Sequence, residues 1–263
     1  MSKRKAFNEI PDIEDDLYFD EDERAKKKPT RPRWPGDGLP AQMKDGSDNF
    51  IKTVNALSKD EFFKHFGPGR PSMWEFDSAE AISKHYLNLC FDLIEETSRE
   101  DYENSSLGWH PRRKLKEMKQ QGMRYLLIEK DDVDQPLYGF LSFLPTHDST
   151  PSVPVLYIYE IHLHENARGE GNGKVLMKMA MDIAKGLGVE KVMLTCFLSN
   201  EIALAFYRSL GYETDTCSPQ EKRTRKKLVK PDYVILSKRV RDSSQKTGVL
   251  GQEVEGNDQI DPM

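Results

Sequence analysis

A run of apolar and aromatic residues, Val155-Leu156-Tyr157-Ile158-Tyr159-Glu160-Ile161-His162-Leu163, is soon followed by Arg168-Gly169-Glu170-Gly171-Asn172-Gly173. From Lys174 to Ala184 the apolar residues then recur at helical spacing. Strand, glycine-rich turn and helix in this order belong to folds that mix sheet and helix, and they build a seat for a pyrophosphate. Glycine lets the turn's backbone approach a ligand closely. The helix start adds unpaired N–H groups and the positive end of a dipole. Two nucleotide-binding turns built on the same logic do not fit. A P-loop needs Ser or Thr after Gly-Lys, and Gly173-Lys174 is followed by Val175. A dinucleotide turn needs Gly-x-Gly-x-x-Gly, which glycines 169, 171 and 173 do not supply. The pattern present is Arg-x-x-Gly-x-Gly: Arg168, Gly171, Gly173. On those residues alone, an ordinary strand-to-helix loop stays equally open.

Arg-x-x-Gly-x-Gly resembles the pyrophosphate-binding signature of the GNAT acetyltransferases, whose co-substrate is acetyl-CoA. Asn200-Glu201-Ile202-Ala203-Leu204-Ala205-Phe206-Tyr207-Arg208-Ser209-Leu210-Gly211-Tyr212 resembles a second segment of that superfamily, Asn-x-x-Ala-x-x-x-Tyr-x-x-x-Gly-Phe/Tyr, in register and at the expected distance. Within the superfamily, Leu156 to Glu160, Lys191 to Thr195, Tyr233 to Arg239 and Tyr102 to Trp109 look like their counterparts in the NatD-type histone N-alpha-acetyltransferases. The likeness runs from about residue 77 to residue 240. It implies a GNAT fold and acetylation of the amino-terminal serine of histone-four and histone-two-A tails, which begin Ser-Gly-Arg-Gly.

Of 263 residues 32% are charged and 37% hydrophobic, so part of the chain is not expected to join a core. An acidic run (Glu14, Asp15, Asp16, Asp20, Glu21, Asp22, Glu23), a basic run (Lys26, Lys27, Lys28, Arg31, Arg33) and the prolines at 29, 32, 35 and 40 mark residues 1–48 as a disordered tail. Residues 241–263 read the same way, leaving a GNAT domain over 49–240. A net charge of −5 argues against a nucleic-acid binder and suits an enzyme receiving a basic peptide. Three cysteines (Cys90, Cys196, Cys217) lack metal spacing and imply no disulfide framework. No apolar run approaches the roughly 18 residues of a membrane span, and no signal-peptide core opens the chain. A soluble monomer of nucleus and cytoplasm is expected. Lys3-Arg4-Lys5 and the cluster at 26–33 serve nuclear import or are merely solvated charge.

Between the tails, Asp77 with Glu80 reads as a capping box for a helix whose face carries Ile82, Tyr86, Leu89 and Leu93. Pro111 opens a second helix ending near Gly122. Strands are expected at 123–130 and 137–143, joined as a hairpin across Asp131 to Gln135. A strand at 155–163, a helix at 173–186, a strand at 191–197, a helix at 200–210 and strands near 212–216 and 232–238 follow. Strict alternation of strand and helix is missing, so the fold class is α/β with a mixed sheet covered by helices. The GNAT likeness adds that strands 155–163 and 191–197 splay apart to form the cofactor cleft.

Acetyl transfer needs a neutral amine, a polarised thioester and a proton for the departing thiolate. An α-amine, with a pKa of about 7.7–8.0, loses its proton far more easily than lysine at about 10.4. Glu160 is the candidate general base, directly or through water. By strand alternation Tyr157 and Tyr159 share one face and Glu160 the other; a bulge would bring both to one cleft. The resemblance implies a substrate pocket of Tyr102, Tyr157, Tyr159, Thr195 and Tyr233, with Tyr159 beside the reacting groups. It implies Tyr207 as general acid for the thiolate, although core packing of Phe206 and Tyr207 fits equally well. Acetyl-CoA would be held by Arg168, Gly169, Glu170, Gly171, Asn172, Gly173 and Lys174, by backbone groups of Ile161, His162 and Leu163, and by Asn200. Asn200 also suits a helix cap. His162 and His164 have no further metal ligands nearby, and no metal is expected. Leu107 stands where the NatD pattern has tryptophan, Cys217 where it has serine, and Asp148 is the single acid of a lengthened loop at 145–154 where the pattern has a pair. Two other functions remain open: a GNAT enzyme for other amino termini, lysines or small amines, and a silent acetyl-CoA-binding module.

Overall fold

Apolar residues dense enough to bury both faces of a strand recur along the middle of the chain, and they assemble one seven-stranded sheet. The computed structural model describes residues 48–68, 74–130, 136–148, 153–223 and 228–240; the charged segments 1–47 and 241–263, and the turn at 131–135, lie outside them. Helices α1 (Asp48–Asn55) and α2 (Lys59–Phe66) lead into β1 (Trp74–Ser78), α3 (Lys84–Glu103) and α4 (Pro111–Met118). Then come β2 (Arg124–Glu129), β3 (Leu137–His147), β4 (Pro154–Leu163), α5 (Asn172–Leu187), β5 (Lys191–Phe197) and α6 (Glu201–Ser209). Short β6 (Glu213–Thr214), β7 (Lys222–Arg223) and β8 (Leu228–Val229) precede β9 (Tyr233–Arg239). The sheet order is β1-β2-β3-β4-β5-β9-β6, with β7 and β8 paired apart. Only β4 and β5 run parallel among the paired neighbours, joined by α5 as a crossover.

Helices cover both faces of the sheet. Phe62 of α2 packs near Phe143, and Phe63 stacks on Phe76 at 4.3 Å. On the opposite face α3 lies over β3 and β4. Its buried residues are Leu87, Cys90, Phe91, Leu93 and Ile94, spaced as one helical stripe.

The helix start differs from expectation. Ser83, not Asp77, accepts the N–H of Tyr86 and caps α3. Asp77 sits in β1, and the Glu80 carboxylate accepts the N–H of Gly122. Tyr86 and Leu89 are therefore half-buried at the edge of the stripe. The helix at Pro111 stops at Met118, four residues before Gly122. Helix α2 falls where no element was expected, α1 begins at the last residue of the expected tail, and β1 occupies the place read as a helix cap.

Candidate active site

Alternation along β4 is broken once. Ser142 pairs with Glu160 while its neighbour Phe143 pairs with Ile158, so Tyr159 is an extra residue, a β-bulge. The phase of the strand shifts there. Tyr157 before the bulge and Glu160 and His162 after it pair with Leu144, Ser142 and Phe140, alternate residues of β3 on one face. The conflict between Tyr157 and Glu160 expected of an ideal strand is thereby resolved.

The same place ends the pairing with β5. Only Val155–Ile158 meet Lys191–Leu194; beyond them the two strands separate. The edge of β4 after the bulge therefore faces a cleft instead of β5. A cavity of about 720 Å³ occupies this gap. It is lined by Tyr102, Tyr157, Tyr159, Glu160, Ile161, His162, Leu163, Thr195, Asn200 and Tyr207, and by Arg168, Gly169, Gly171, Asn172, Gly173 and Lys174. Two expected members are not in its wall. The Glu170 carboxylate accepts from the Asn172 side-chain amide at 3.3 Å. Tyr233 lies opposite Phe197 at the start of β9.

At one end of the cavity α5 begins with Gly171 as a left-handed cap, φ 87°, without any side-chain hydrogen bond to its first turn. A β-carbon there would meet nothing within 4 Å. The first turn of α5 therefore begins at the cavity wall, beside Arg168 and Lys174. Arg168 also donates through Nε to the Leu163 carbonyl at 3.0 Å, tying turn to strand. The Asn200 side chain accepts the Ala203 N–H at 3.0 Å and caps α6, and its amide reaches Asp101 of α3. Gly139 of β3 admits no side chain: a β-carbon would lie 2.5 Å from Leu163 Cδ2.

The other end holds a chain of charge. Lys114 of α4, buried despite three basic neighbours along its helix, donates to Glu160 Oε1 at 2.6 Å, Glu117 at 2.5 Å and the Tyr102 hydroxyl at 2.9 Å. Glu160 Oε2 lies 2.6 Å from His162 Nε2, and His162 Nδ1 lies 2.6 Å from Thr97 Oγ1 of α3. Burial by itself would raise the Glu160 pKa, but Lys114 and His162 outweigh it and hold the carboxyl down to about 2. Burial would lower the Lys114 pKa; Glu160, Tyr102 and Glu117 raise it instead. These are the signs of an ion pair well seated on both sides.

Both oxygens of the Glu160 carboxylate are thus engaged, one by Lys114 and one by His162. Lys114 was missed because its sequence surroundings, Arg112, Arg113 and Lys116, read as a solvated helix face. Tyr207 is buried at the cavity wall, and burial, then Cys196 and Glu160, raise its pKa, so it keeps its proton and can donate a hydrogen bond. The Tyr157 hydroxyl pairs with Thr195 at 2.5 Å, and its ring meets Tyr159 edge-on at 5.4 Å.

Asp148, the single acid of the 145–154 loop, lies outside the cavity wall. Asp148 and Asp215 both bind Lys191 at 2.6 Å, at the closed end of the β4–β5 pair. Cys217 completes that cluster through its backbone N–H to Asp215 and is not part of the cavity wall. The three side chains are close enough to share a cation, and the Lys191 ammonium already sits on two of them.

The cavity thus joins a parallel strand pair splayed at a bulge to a glycine-rich helix start without a side-chain cap. Residues 88–212 match the acetyltransferase (GNAT) family. N-alpha-acetyltransferase 40 of Saccharomyces cerevisiae is 29% identical over 155 residues, 51% of this chain and 53% of that one. The chain thus matches about half the length of this curated relative. Similar crystal structures include Arabidopsis thaliana NAA60 with a bisubstrate analogue (12% identity, 64% of this chain, 99% of that one, TM-score 0.48). Another is the ribosomal-protein-S18-alanine N-acetyltransferase of Escherichia coli (14%, 67% and 100%, TM-score 0.44). No helix among the described residues is long and apolar enough to cross a membrane.

Proposed function

We propose that the protein is an N-alpha-acetyltransferase of NatD type, moving acetyl from acetyl-CoA to the amino-terminal serine of histone-four and histone-two-A tails. Residues 49–240 are the catalytic domain in this proposal, and the charged ends are tails. The observation that carries it is the single cavity joining the α5 cradle to the tyrosine-walled end at Glu160. Arg168, Gly169, Gly171, Asn172, Gly173 and Lys174 would hold the pyrophosphate, and the free edge of β4 beyond the bulge would pair with the pantetheine as another strand does. Acetyl-CoA supplies an activated acyl group on a thiol that leaves readily.

The amine first gives up a proton, and Glu160 lies where a water could pass it on. Its lone pair then attacks the thioester carbonyl. The C–N bond forms, the C–S bond breaks with its electron pair going to sulfur, and the second proton shed by the nitrogen neutralises the thiolate. Tyr207 donates a hydrogen bond to that sulfur as charge builds, worth about 1–3 kcal/mol. A small first residue and glycine at position two suit walls made of Tyr102, Tyr157 and Tyr159, which bring aromatic faces close to the peptide backbone.

Mass spectrometry of peptides incubated with acetyl-CoA tests the proposal. Ser-Gly-Arg-Gly peptides should be acetylated on the α-amine far faster than Met-Leu peptides or α-blocked peptides bearing lysine. Comparable lysine acetylation would overturn the N-terminal assignment. With Asp148 and Asp215 held by Lys191, replacing the third-position arginine by alanine should cost less than about tenfold in kcat/KM, the size of one weak polar contact.

A further inference from the structure

Two carboxylates stand in the cavity wall, Glu160 and Glu117, and their surroundings differ. Glu160 is buried, with Oε1 on Lys114 and Oε2 on His162. Glu117 follows Lys114 by three residues on α4, and its side chain is 31% exposed. Its Oε1 accepts from Lys114 at 2.5 Å, and its Oε2 has no partner among the described residues. Lys114 cannot serve that oxygen as well. An ammonium has three hydrogens, and those of Lys114 go to Glu160, Glu117 and the Tyr102 hydroxyl. His162 engages Glu160 and Thr97. The other cations of the wall, Arg168 and Lys174, lie at the cradle beside α5. One acceptor of charge thus stays open at the tyrosine-walled end.

We infer that Glu117 is the residue that recognises the free amino terminus of the peptide, its open oxygen accepting from the substrate's α-ammonium. This rests on the proposed transfer to an α-amine. With a pKa of about 7.7–8.0 that amine arrives mainly as a cation at neutral pH. A carboxylate oxygen without a partner, in a pocket partly closed to water, attracts such a cation. Glu117 and Glu160 touch the same lysine ammonium, so an amine held at one is a short step from the other. Only the charged amine pairs strongly with Glu117. Once a proton leaves through water the pairing weakens, and the neutral amine is free to turn toward the thioester.

The walls nearby agree with this role. Tyr102 and Tyr159 line the same end of the cavity. Burial and then the Glu117 charge raise the Tyr159 pKa, as expected of a carboxylate close to that hydroxyl. The plainer role for Glu117 is to seat Lys114 and nothing more. Glu117→Gln separates the two, because the amide oxygen still accepts from Lys114 while the charge is gone.

Calorimetry at about pH 6.5, where the α-amine is protonated, compares a Ser-Gly-Arg-Gly peptide with the same peptide lacking its α-amino group. Each is bound to the full chain in the presence of CoA, which carries no acetyl to transfer. The wild type should prefer the free amine by about tenfold, one charge-assisted hydrogen bond discounted for partial exposure. Raising the salt should shrink that preference. In Glu117→Gln the two peptides should bind equally. In turnover the variant should raise the peptide KM by about tenfold without lowering kcat, because the pair forms before attack and is dissolved by it. A preference that survives in Glu117→Gln would overturn the inference. So would a wild type that binds both peptides equally, or a variant whose kcat falls at unchanged KM. A preference that depends on Glu117, in a protein that acetylates no α-amine, would instead fault the assigned reaction.

Discussion

Lys114 is the residue on which the chemistry at Glu160 depends, because it turns a buried carboxyl into a stable anion. The sign of its effect on stability can be worked out. Glu160 has a folded-state pKa of about 2 against 4.5 ordinarily. Its contribution is therefore fully present above about pH 4.5 and is lost as the pH falls toward about 2. Without the lysine, burial dominates and the folded-state pKa rises above its ordinary value. The penalty then appears as the pH rises and fades as acid protonates the group. Lys114→Met should consequently be less stable than wild type by about 3 kcal/mol near neutral pH, the usual cost of stranding one buried charge. Denaturant titrations at about pH 7 and about pH 4 should find that gap narrowing in acid. A gap of equal size at both would mean that the two groups are not coupled. Neither the lysine's burial nor its partner was legible in the sequence: Glu160 stands 46 positions away, and only the packing of α4 against β4 joins them.

At the scale of elements, the start of α5 offers the sharpest test of the cofactor end. Gly171→Glu places a carboxylate beside N–H groups that a pyrophosphate would use. Calorimetry should find acetyl-CoA binding weakened at least about 100-fold, or about 3 kcal/mol, with the fold kept. Gly171→Ala is the control. Its β-carbon meets nothing, so only the strain of φ 87° remains, about 1–2 kcal/mol of stability. Equal binding loss in both variants would point to backbone strain and not to charge at the cradle. Elements of this region were legible because their patterns are long and uniform. The expected strand at 191–197 agrees with β5 to the residue, and the expected helix at 173–186 differs from α5 by one residue at each end. Short elements defeated the same reasoning. Trp74–Ser78 spans five residues, and its Asp77, followed by Glu80, imitates a helix cap that Ser83 in fact provides. Tyr233 shows the limit at the site: the motif around it is recognisable, yet its place opposite Phe197 leaves it outside the cavity wall.

Across the whole molecule the sheet behaves as a wedge, fastened at one end and open at the other. Lys191 ties the end of β3 to the segment after β6 through Asp148 and Asp215, while β4 and β5 part beyond Ile158 and Leu194. The extra residue at Tyr159 works like a skipped tooth in a zipper. It leaves β4 in step with β3 on both sides and out of step with β5. A chain with Tyr159 deleted would still match every β3 partner, Glu160 then following Ile158 directly as Ser142 follows Phe143 in the opposite direction. Such a protein should fold with near-normal stability. Its zipper, however, would be free to close by further teeth, Glu160 and Ile161 advancing toward Thr195 and Cys196. Acetyl-CoA affinity should vanish although no cradle residue has changed. Retained affinity would place the origin of the opening elsewhere than in that single inserted residue.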